Sequence, residues 1–440
     1  MTDEVDILIK KIHAVTLDDQ RPVLKDVDIA VKGGVIDKIG VGIRCDAKTE
    51  IDGRRKIALP GLVDAHTHCF QIFLRGALSI KELNIHPIWL KVLIPFEAEM
   101  PFEEGRVSAQ LACLNMIKKG ITSFADAGGP YPETLAEIAY QAGLRARITG
   151  STMDRGPENY RRTVEHNRNL RKKWRDGRVQ GWYSIRQVLT SSDELISDTF
   201  EAAAKDGSGI HIHLNEEFSE IEHSLQRWGM RPIEYLYSKG FLGENVLAAH
   251  CAFLNDAEVE ALARTATKVA HCPMINLAYM TFPKVPRLLQ LGVDVGLGSD
   301  GGSYRGLDLF VDMNVAMAAL TAYFGTPYYD FSVMSSTTLL KMAAYHGAKA
   351  IGESNLGILR EGYKADIITV DRSQPHLTPL HDPSSLPLFA TGSDVADVII
   401  DGKMVMHSRK VLTIDEEKIM EDAEEIAPSS FERITKLVKK

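Results

Sequence analysis

The sequence is poor in cysteine and has no excess of basic residues. Five of the 440 residues are cysteines, and none of them forms a Cys-x-x-Cys pair. An odd, scattered set argues against a disulfide framework and favours a reducing compartment, the cytoplasm. The formal net charge of −8 leaves no basic footprint for nucleic acid. These shortages predict a cytoplasmic protein that does not bind nucleic acid.

Segments for export and for membrane insertion are missing from the pattern as well. Residues 1–6 are acidic and lack the apolar core of a secretory signal. On this reading no apolar run is long enough to span a bilayer. We therefore expect no association with membranes.

Short β-like segments occur near both ends of the chain. Apolar and polar residues alternate there in part, and Gly33-Gly34 forms a hairpin turn between two of the segments. Because chain termini tend to lie close together, we predict one small β-sandwich domain built from residues 1–57 and 359–440, the second part ending in a helix. The segments are 5–9, 27–31, 35–39, 365–370, 398–400 and 405–406.

The intervening residues, 58–358, have a different pattern of apolar and polar residues. Eight β-like runs alternate with amphipathic stretches, several of which end in glycine, as helices often do. This alternation favours parallel strands and predicts an α/β fold, a (β/α)8 TIM barrel. A doubly wound open sheet is the alternative, although no Gly-x-Gly-x-x-Gly follows an early strand. The runs are 62–63, 122–125, 146–149, 180–183, 209–213, 246–249, 268–270 and 293–296.

Histidine and aspartate cluster where these runs end. Five of the eight run ends carry one of them, and the carboxyl ends of barrel strands meet on one face of the barrel. The first run ends in His66 and His68, whose side chains point to the same side of a strand. The other four ends carry His211 and His213, His250, His271, and Asp300.

This clustering predicts a metal site. A hydrolytic divalent metal needs nitrogen and carboxylate ligands and one position for water. We prefer His213 to His211 as a ligand because it lies nearer the end of its strand. The predicted ligands are His66, His68, His213 and Asp300.

Four residues near the predicted metal are candidates for the chemistry. Metal-bound water loses a proton near neutral pH, and Asp300 can accept that proton. Glu216 is predicted to act as general acid and base toward the leaving group. His250 is either a further ligand or a group that orients water and polarises the substrate. For His271, a substrate contact and a structural hydrogen bond at the barrel rim are both open.

The same residues resemble the amidohydrolase superfamily, in particular its branch of cytosine deaminases, triazine hydrolases and methylthioadenosine/S-adenosylhomocysteine deaminases. The resemblance implies one divalent ion per subunit, zinc or iron(II), on the four ligands above, with Glu216 and His250 handling the proton and the attacking water. Relatives with two metals use a fourth-strand lysine, and residues 180–187 contain none. Relatives are often homodimers or homotetramers, which is expected here by analogy. The matching motifs are 60–68, 213–216, 249–251, 271–273 with Asn276, and 298–301.

The substrate-binding pattern departs from these relatives. Glu97, in Pro95-Phe96-Glu97, resembles the glutamate that holds ribose hydroxyls in adenosine-type deaminases. Gly150 stands where those enzymes place an arginine for a homocysteine carboxylate, which disfavours S-adenosylhomocysteine. Arg186 replaces a fourth-strand histidine, and Arg305 lies in place of an Asn-rich run. The two arginines can bind a carbonyl-rich ring or an acidic substituent, or form structural ion pairs.

The leading hypothesis is a metal-dependent deaminase that releases ammonia from an exocyclic amine of an N-heterocycle. A nucleobase, an adenosine-type nucleoside, a pterin and a triazine all remain open as the small-molecule substrate. The alternative is a triazine-type hydrolase that displaces chloride or an alkylamine, or a hydrolase of a cyclic amide. A barrel that has lost catalysis and serves as a binding scaffold is the third reading, which the intact ligand set disfavours.

Overall fold

The computed structural model describes residues 4–78, 87–175, 177–303 and 306–438. Its strands are β1 (Glu4–Val15), β2 (Val23–Lys32), β3 (Val35–Gly40), β4 (Asp46–Asp52), β5 (Lys56–Pro60), β6 (Leu62–His68), β7 (Ile121–Asp126), β8 (Arg145–Ile148), β9 (Val179–Gly181), β10 (Tyr183–Ile185), β11 (Ile210–Leu214), β12 (Val246–His250), β13 (Lys268–His271), β14 (Val295–Leu297), β15 (Asp300–Gly301), β16 (Ile367–Asp371), β17 (Val395–Ile400), β18 (Lys403–His407) and β19 (Lys410–Val411).

The α-helices are α1 (Ile94–Ala98), α2 (Phe102–Lys118), α3 (Pro132–Ala142), α4 (Val164–Lys173), α5 (Asp193–Lys205), α6 (Phe218–Trp228), α7 (Pro232–Ser238), α8 (Asp256–Arg264), α9 (Pro273–Ala278), α10 (Val285–Gln290), α11 (Leu309–Leu320), α12 (Ser336–Lys341), α13 (Gly347–Ala350) and α14 (Glu416–Val438). Several of these helices end next to a glycine, as the sequence predicts. At the end of α3, for example, Gly143 takes a left-handed backbone with φ of 88°, which a residue without Cβ adopts at low cost.

The two ends of the chain join in one nine-stranded sheet. Its strand order is β19-β18-β17-β16-β5-β1-β2-β3, with β4 paired to β1. The junction is the antiparallel pair of β16 and β5, in which Ile368 lies opposite Leu59. Ile9 and Ile29 face each other across β1 and β2 and pack in the core of this sheet. The predicted terminal segments all overlap its strands.

The middle of the chain contains two five-stranded sheets, ordered β15-β6-β7-β8-β9 and β10-β11-β12-β13-β14. Every neighbouring pair in them is parallel, and helices connect successive strands. Residue 182 alone separates β9 from β10, and residues 298–299 separate β14 from β15. The predicted α/β class with parallel strands is therefore confirmed, and each predicted run overlaps a strand.

One helical run corrects the expectation that no apolar run could span a bilayer. The run Leu309–Tyr328 has 20 residues and a mean hydropathy of 1.2, enough to cross a membrane by length and composition alone. Its apolar residues Phe310, Met313 and Leu320, however, are buried in the main core. A helix with neighbours on several sides is apolar around much of its circumference, so composition alone does not distinguish it from a membrane span.

Candidate metal centre

The predicted ligands converge where the parallel strands end. The ligand atoms of His66, His68 and His213 lie within 4.8 Å of one another, as do those of His66, His250 and Asp300. The Nε2 atoms of His68 and His213 are 3.2 Å apart. Asp300 Oδ1 lies 3.5 Å from His68 Nε2 and 3.7 Å from His66 Nε2. Residues drawn from four separate stretches of sequence thus face one point.

This donor set fits a divalent metal ion. His66 Nε2 and His250 Nε2 are buried and find no hydrogen-bond partner among the residues that the structure describes. Burial lowers the pKa of His66, His68 and His213 well below the ordinary value, so their rings are neutral and each keeps a lone pair for a metal. Nitrogen ligands with one carboxylate are typical of zinc sites and also suit iron(II).

A positive charge already lies at this point. Nη1 of Arg186 is 3.1 Å from Nε2 of His68 and 3.1 Å from Nε2 of His213. A guanidinium only donates hydrogen bonds, so both imidazole nitrogens accept from it. The lone pairs of His68 Nε2 and His213 Nε2 thus face a cation in this structure.

Neighbouring polar groups orient the first of these ligands. His66 Nδ1 lies 2.8 Å from Nε2 of His211, which leaves His66 Nε2 to face the cluster. His211 thus contacts the ring nitrogen of His66 that faces away from the cluster. Asp64 accepts from the backbone N–H of Ser299 at 3.0 Å and from its hydroxyl at 2.5 Å. Burial raises the pKa of Asp64 to about 7. The His211 contact fixes the ring that a metal would bind.

The backbone is strained at three of the strand ends around the cluster. Asn215, His250 and Asp300 all have left-handed φ values, of 51°, 70° and 58°. Non-glycine residues adopt this region at a cost, and such strain concentrates at functional sites. Here it turns the chain just where the histidines and carboxylates must face inward.

Glu216 is buried beside the cluster. It is 5% exposed, and one carboxylate oxygen accepts from Nε2 of Gln187 at 3.0 Å. The other oxygen lies 3.6 Å from Nε2 of His250. Burial, and then the charge of Asp300, raise the pKa of Glu216 to about 8. A carboxyl that titrates near the working pH can both take up and release a proton.

The two remaining histidines differ in their surroundings. His250 Nε2 lies 3.8 Å from Asp300 Oδ2, and burial lowers the pKa of His250 to about 4 despite the opposing charge of Asp300. Its Nδ1 faces the side-chain amide of Asn276 at 3.3 Å. His271 is fully buried and packs edge-on against Phe282, with ring centroids 5.2 Å apart. His250 therefore belongs to the cluster, whereas His271 is in neither group of ligand atoms.

Glu97 lies in a buried polar network. It is 2% exposed and accepts from Nε2 of Gln71 at 2.8 Å and from the hydroxyl of Tyr160. Burial raises the pKa of Glu97, and the positive charge of Arg186 opposes this shift. The guanidinium carbon of Arg186 is 5.9 Å from the ring centroid of Trp89. Glu97, Arg186 and Trp89 thus approach the cluster from one side.

One predicted position is not covered and some partners were not predicted. Arg305, proposed as a substrate contact, lies outside the described residues. Gln71, Tyr160 and Gln187 hold Glu97 and Glu216 but carry no sequence signal of their own. Gln71 follows His68 by three residues, which is the one hint that it lies near the site.

Comparisons with known proteins agree with this geometry. The sequence profile described as "Amidohydrolase family" matches residues 57–405. The chain is 36% identical to a 5'-deoxyadenosine deaminase of Methanosarcina mazei over 98% of this chain and 99% of that protein. It is 35% identical to a 5-methylthioadenosine/S-adenosylhomocysteine deaminase of Pelotomaculum thermopropionicum over 96% of this chain and 98% of that protein.

Solved structures share the fold. An adenosine deaminase from Xanthomonas campestris with bound zinc superimposes with a TM-score of 0.90, at 25% identity, over 99% of this chain and 100% of that one. An atrazine chlorohydrolase from Arthrobacter aurescens, complexed with zinc, superimposes with a TM-score of 0.86, at 24% identity, over 96% of this chain and 100% of that one. The second likeness concerns the fold alone.

Proposed function

The chain belongs to the amidohydrolase family, and we propose that it is a metal-dependent deaminase of adenosine-type nucleosides whose 5' end is uncharged. The observation that carries this proposal is the buried Glu216, whose pKa is raised to about 8, beside a cluster of metal-type ligands. Removing ammonia requires a proton at the departing nitrogen, and Glu216 is poised to deliver one. Relatives about one-third identical along nearly the full length are named as deaminases of adenosine-type nucleosides.

In the proposed reaction, His66, His68, His213 and Asp300 hold one divalent ion, with zinc preferred and iron(II) as the alternative. Such an ion supplies water that is activated for attack at neutral pH. With the ion bound, Glu216 would accept a proton from the attacking water and deliver it to the amine nitrogen as the carbon–nitrogen bond breaks, and His250 and Asp300 would orient that water. The second proton of the water would move to the ring nitrogen beside the reacting carbon, so that the ring keeps the oxygen as a carbonyl and ammonia leaves.

For the substrate, we propose that Glu97 accepts hydrogen bonds from ribose hydroxyls and that Arg186 donates to the ring, with His271 lining the pocket. Arg305 stays a proposed contact on sequence grounds alone. A carboxylate-bearing 5' group finds no arginine at position 150, where a Cβ would lie 2.7 Å from Oδ1 of Asn167. We therefore expect S-adenosylhomocysteine to be a poorer substrate than 5'-deoxyadenosine or 5'-methylthioadenosine.

The two parallel sheets support a closed barrel. A Cβ at Gly296 would lie 2.8 Å from Ala65 Cβ, and one at Gly298 would lie 2.9 Å from His66 Cβ, so β14 passes directly beside β6. We propose that the two sheets are halves of one eight-stranded barrel spanning 58–358, with a β-sandwich of residues 1–57 and 359–440. We also propose a cytoplasmic homodimer or homotetramer.

The test is an ammonia-release assay on metal-loaded enzyme. The panel contains 5'-deoxyadenosine, 5'-methylthioadenosine, S-adenosylhomocysteine, a pterin, cytosine and an aminotriazine, with chloride release from atrazine measured in parallel. We expect the first two compounds to be deaminated, and Glu216→Gln to lower kcat by about 100-fold or more while the metal content stays unchanged. Full activity of Glu216→Gln, or release of chloride without ammonia, would contradict the proposal.

A further inference from the structure

The C-terminal helix α14 lies against the segments that carry Glu97 and its partner Gln71. It packs on α2, on α1 and on the 3₁₀ turn Ile72–Leu74. Glu97 belongs to α1, and Gln71 directly precedes that turn. One helix from the end of the chain therefore supports both halves of the Gln71–Glu97 hydrogen bond.

Ion pairs fasten α14 along α2 in an antiparallel direction. The earliest residues of α14 contact the end of α2, and its later residues contact the beginning. The pairs are Lys118 with Glu416 at 2.8 Å, Arg106 with Asp422 at 3.6 Å, and Glu104 with Arg433 at 2.5 Å.

The last of these pairs is the most buried. Glu104 is 2% exposed and accepts from both terminal nitrogens of Arg433, at 2.5 and 2.6 Å. The hydroxyl of Ser430 also donates to Glu104, at 2.8 Å. A two-point contact of this kind fixes the plane of the guanidinium.

The fixed guanidinium faces the residue next to Glu97. Its central carbon lies 4.6 Å from the centroid of the Phe96 ring, and Phe96 is fully buried. An arginine over an aromatic face is attracted by the ring and blocks its movement. Because Phe96 and Glu97 are consecutive in one short helix, the contact that fixes the Phe96 ring also restrains the backbone that carries Glu97.

The end of α14 makes a second contact with the same segment. Val438 packs against the cluster that contains Ile88, Val92, Cys272 and Tyr279. In the sequence, Ile88 directly precedes Trp89 and Cys272 directly follows His271. The helix thus holds the segment 88–98 at two separate points.

We infer that Arg433 is a positioning residue for substrate binding, which acts through Phe96 to hold the Glu97 carboxylate where it meets ribose hydroxyls. This inference rests on the proposed function of Glu97. It predicts that loss of the Arg433 guanidinium weakens binding of nucleosides that carry those hydroxyls and leaves the chemical step intact.

The experiment compares Arg433→Gln with Lys436→Gln, which makes the same charge change on the same helix. Lys436 pairs with Glu432 on the helix surface, where both side chains are 70% exposed. For 5'-deoxyadenosine, we expect Arg433→Gln to raise KM about tenfold with kcat within about twofold. For 2',3'-dideoxyadenosine, which lacks the hydroxyls, kcat/KM should not change. Lys436→Gln should match the wild type with both substrates.

Two further variants guard against a simple folding defect. Arg433→Lys keeps a cation for Glu104 and should recover part of the KM. Glu104→Gln/Arg433→Gln leaves no unpaired buried charge and should keep the raised KM of the single variant. An equal loss of kcat/KM with both substrates, or no loss with either, would overturn the role of Arg433.

A readout that needs no catalysis separates this inference from the proposed function. Amide hydrogen exchange of the peptide covering residues 87–98 should be faster in Arg433→Gln than in Lys436→Gln. If the wild type deaminated no nucleoside, the proposed function would fail, whereas the exchange data would still report on the segment. Unchanged exchange in Arg433→Gln would overturn the positioning role whatever the substrate is.

Discussion

Titratable side chains are buried at both ends of the parallel strands, and the two ends differ in how these groups are paired. At the amino ends, Arg145 donates to both carboxylate oxygens of Asp366, at 3.1 and 3.2 Å, and Arg147 donates to Glu353 at 2.6 Å. Both arginines are 2% exposed. At the carboxyl ends, His66 and His250 are fully buried, yet their Nε2 atoms meet no hydrogen-bond partner within the described ranges.

This difference in pairing distinguishes a structural ion-pair network at the amino ends from a candidate metal-binding site at the carboxyl ends. A buried charge is costly unless it is matched, and the amino-end arginines are matched by carboxylates. Their network also ties β8 to Asp366, which directly precedes β16, and so links a parallel sheet to the terminal sheet. At the carboxyl ends, Nε2 of His66 and Nε2 of His250 have no hydrogen-bond partner among the described residues, as expected of nitrogen atoms that bind a metal.

The largest predicted effect is the loss of activity when a metal ligand at the carboxyl ends of the strands is replaced. Asp300→Asn keeps the shape of the side chain and removes the one carboxylate among the predicted ligands. We expect metal content to fall and ammonia release to drop about 1,000-fold or more, because the ion contributes several kcal/mol to the barrier. Metal analysis and the ammonia assay measure this. The thermal midpoint of the metal-free protein should not fall, since a poorly paired buried charge is removed.

The opposite result is expected at the amino ends. Arg145→Met leaves Asp366 buried without its cation, which should destabilise the protein by about 3–5 kcal/mol. Urea unfolding measures the loss, and kcat of the folded enzyme should stay within about twofold. A fall in kcat with an unchanged unfolding midpoint would break the distinction between the two ends.

A smaller effect should appear in the pH dependence of stability. The pKa of Glu216 is raised from its ordinary value of 4.5 to about 8 by burial, so between these values the folded metal-free chain binds more protons than the unfolded chain. Stability from this group is therefore present below pH 4.5 and lost as the pH rises through 8. Thermal midpoints of metal-free wild type and Glu216→Gln should differ more at pH 8 than at pH 5, with the variant the more stable at pH 8. A constant difference would contradict the buried setting of Glu216.

The smallest effect is expected for an exposed ion pair, which serves as a control for the substitutions at both ends of the strands. Arg264 pairs with Glu260 one helical turn away at 3.0 Å, and both side chains are more than half exposed. Exposed pairs contribute little because water and salt screen them. Arg264→Gln should change neither the unfolding midpoint nor the ammonia release. A clear change in either would mean that charge loss alone perturbs this protein.

Local patterns were enough to predict much of the fold and of the cluster. The spacing of His66 and His68 follows from the two-residue period of a strand, and the run ends placed His213, His250 and Asp300 nearby. The resemblance to the amidohydrolases is confirmed by the family profile and by relatives that match nearly the whole chain. The prediction that no apolar run could span a bilayer missed the run at 309–328, which meets that requirement by length and composition alone.

The sequence by itself determined the order of strands and helices, the joining of the chain ends and the identity of the histidines and carboxylates, since these depend on short-range periodicity and residue chemistry. Only the tertiary structure decided which groups complete the site. Tyr160 reaches Glu97 across 63 residues, Gln187 reaches Glu216 across 29, and Arg433 reaches Glu104 across 329. Such contacts depend on how distant elements pack, and no local pattern encodes them.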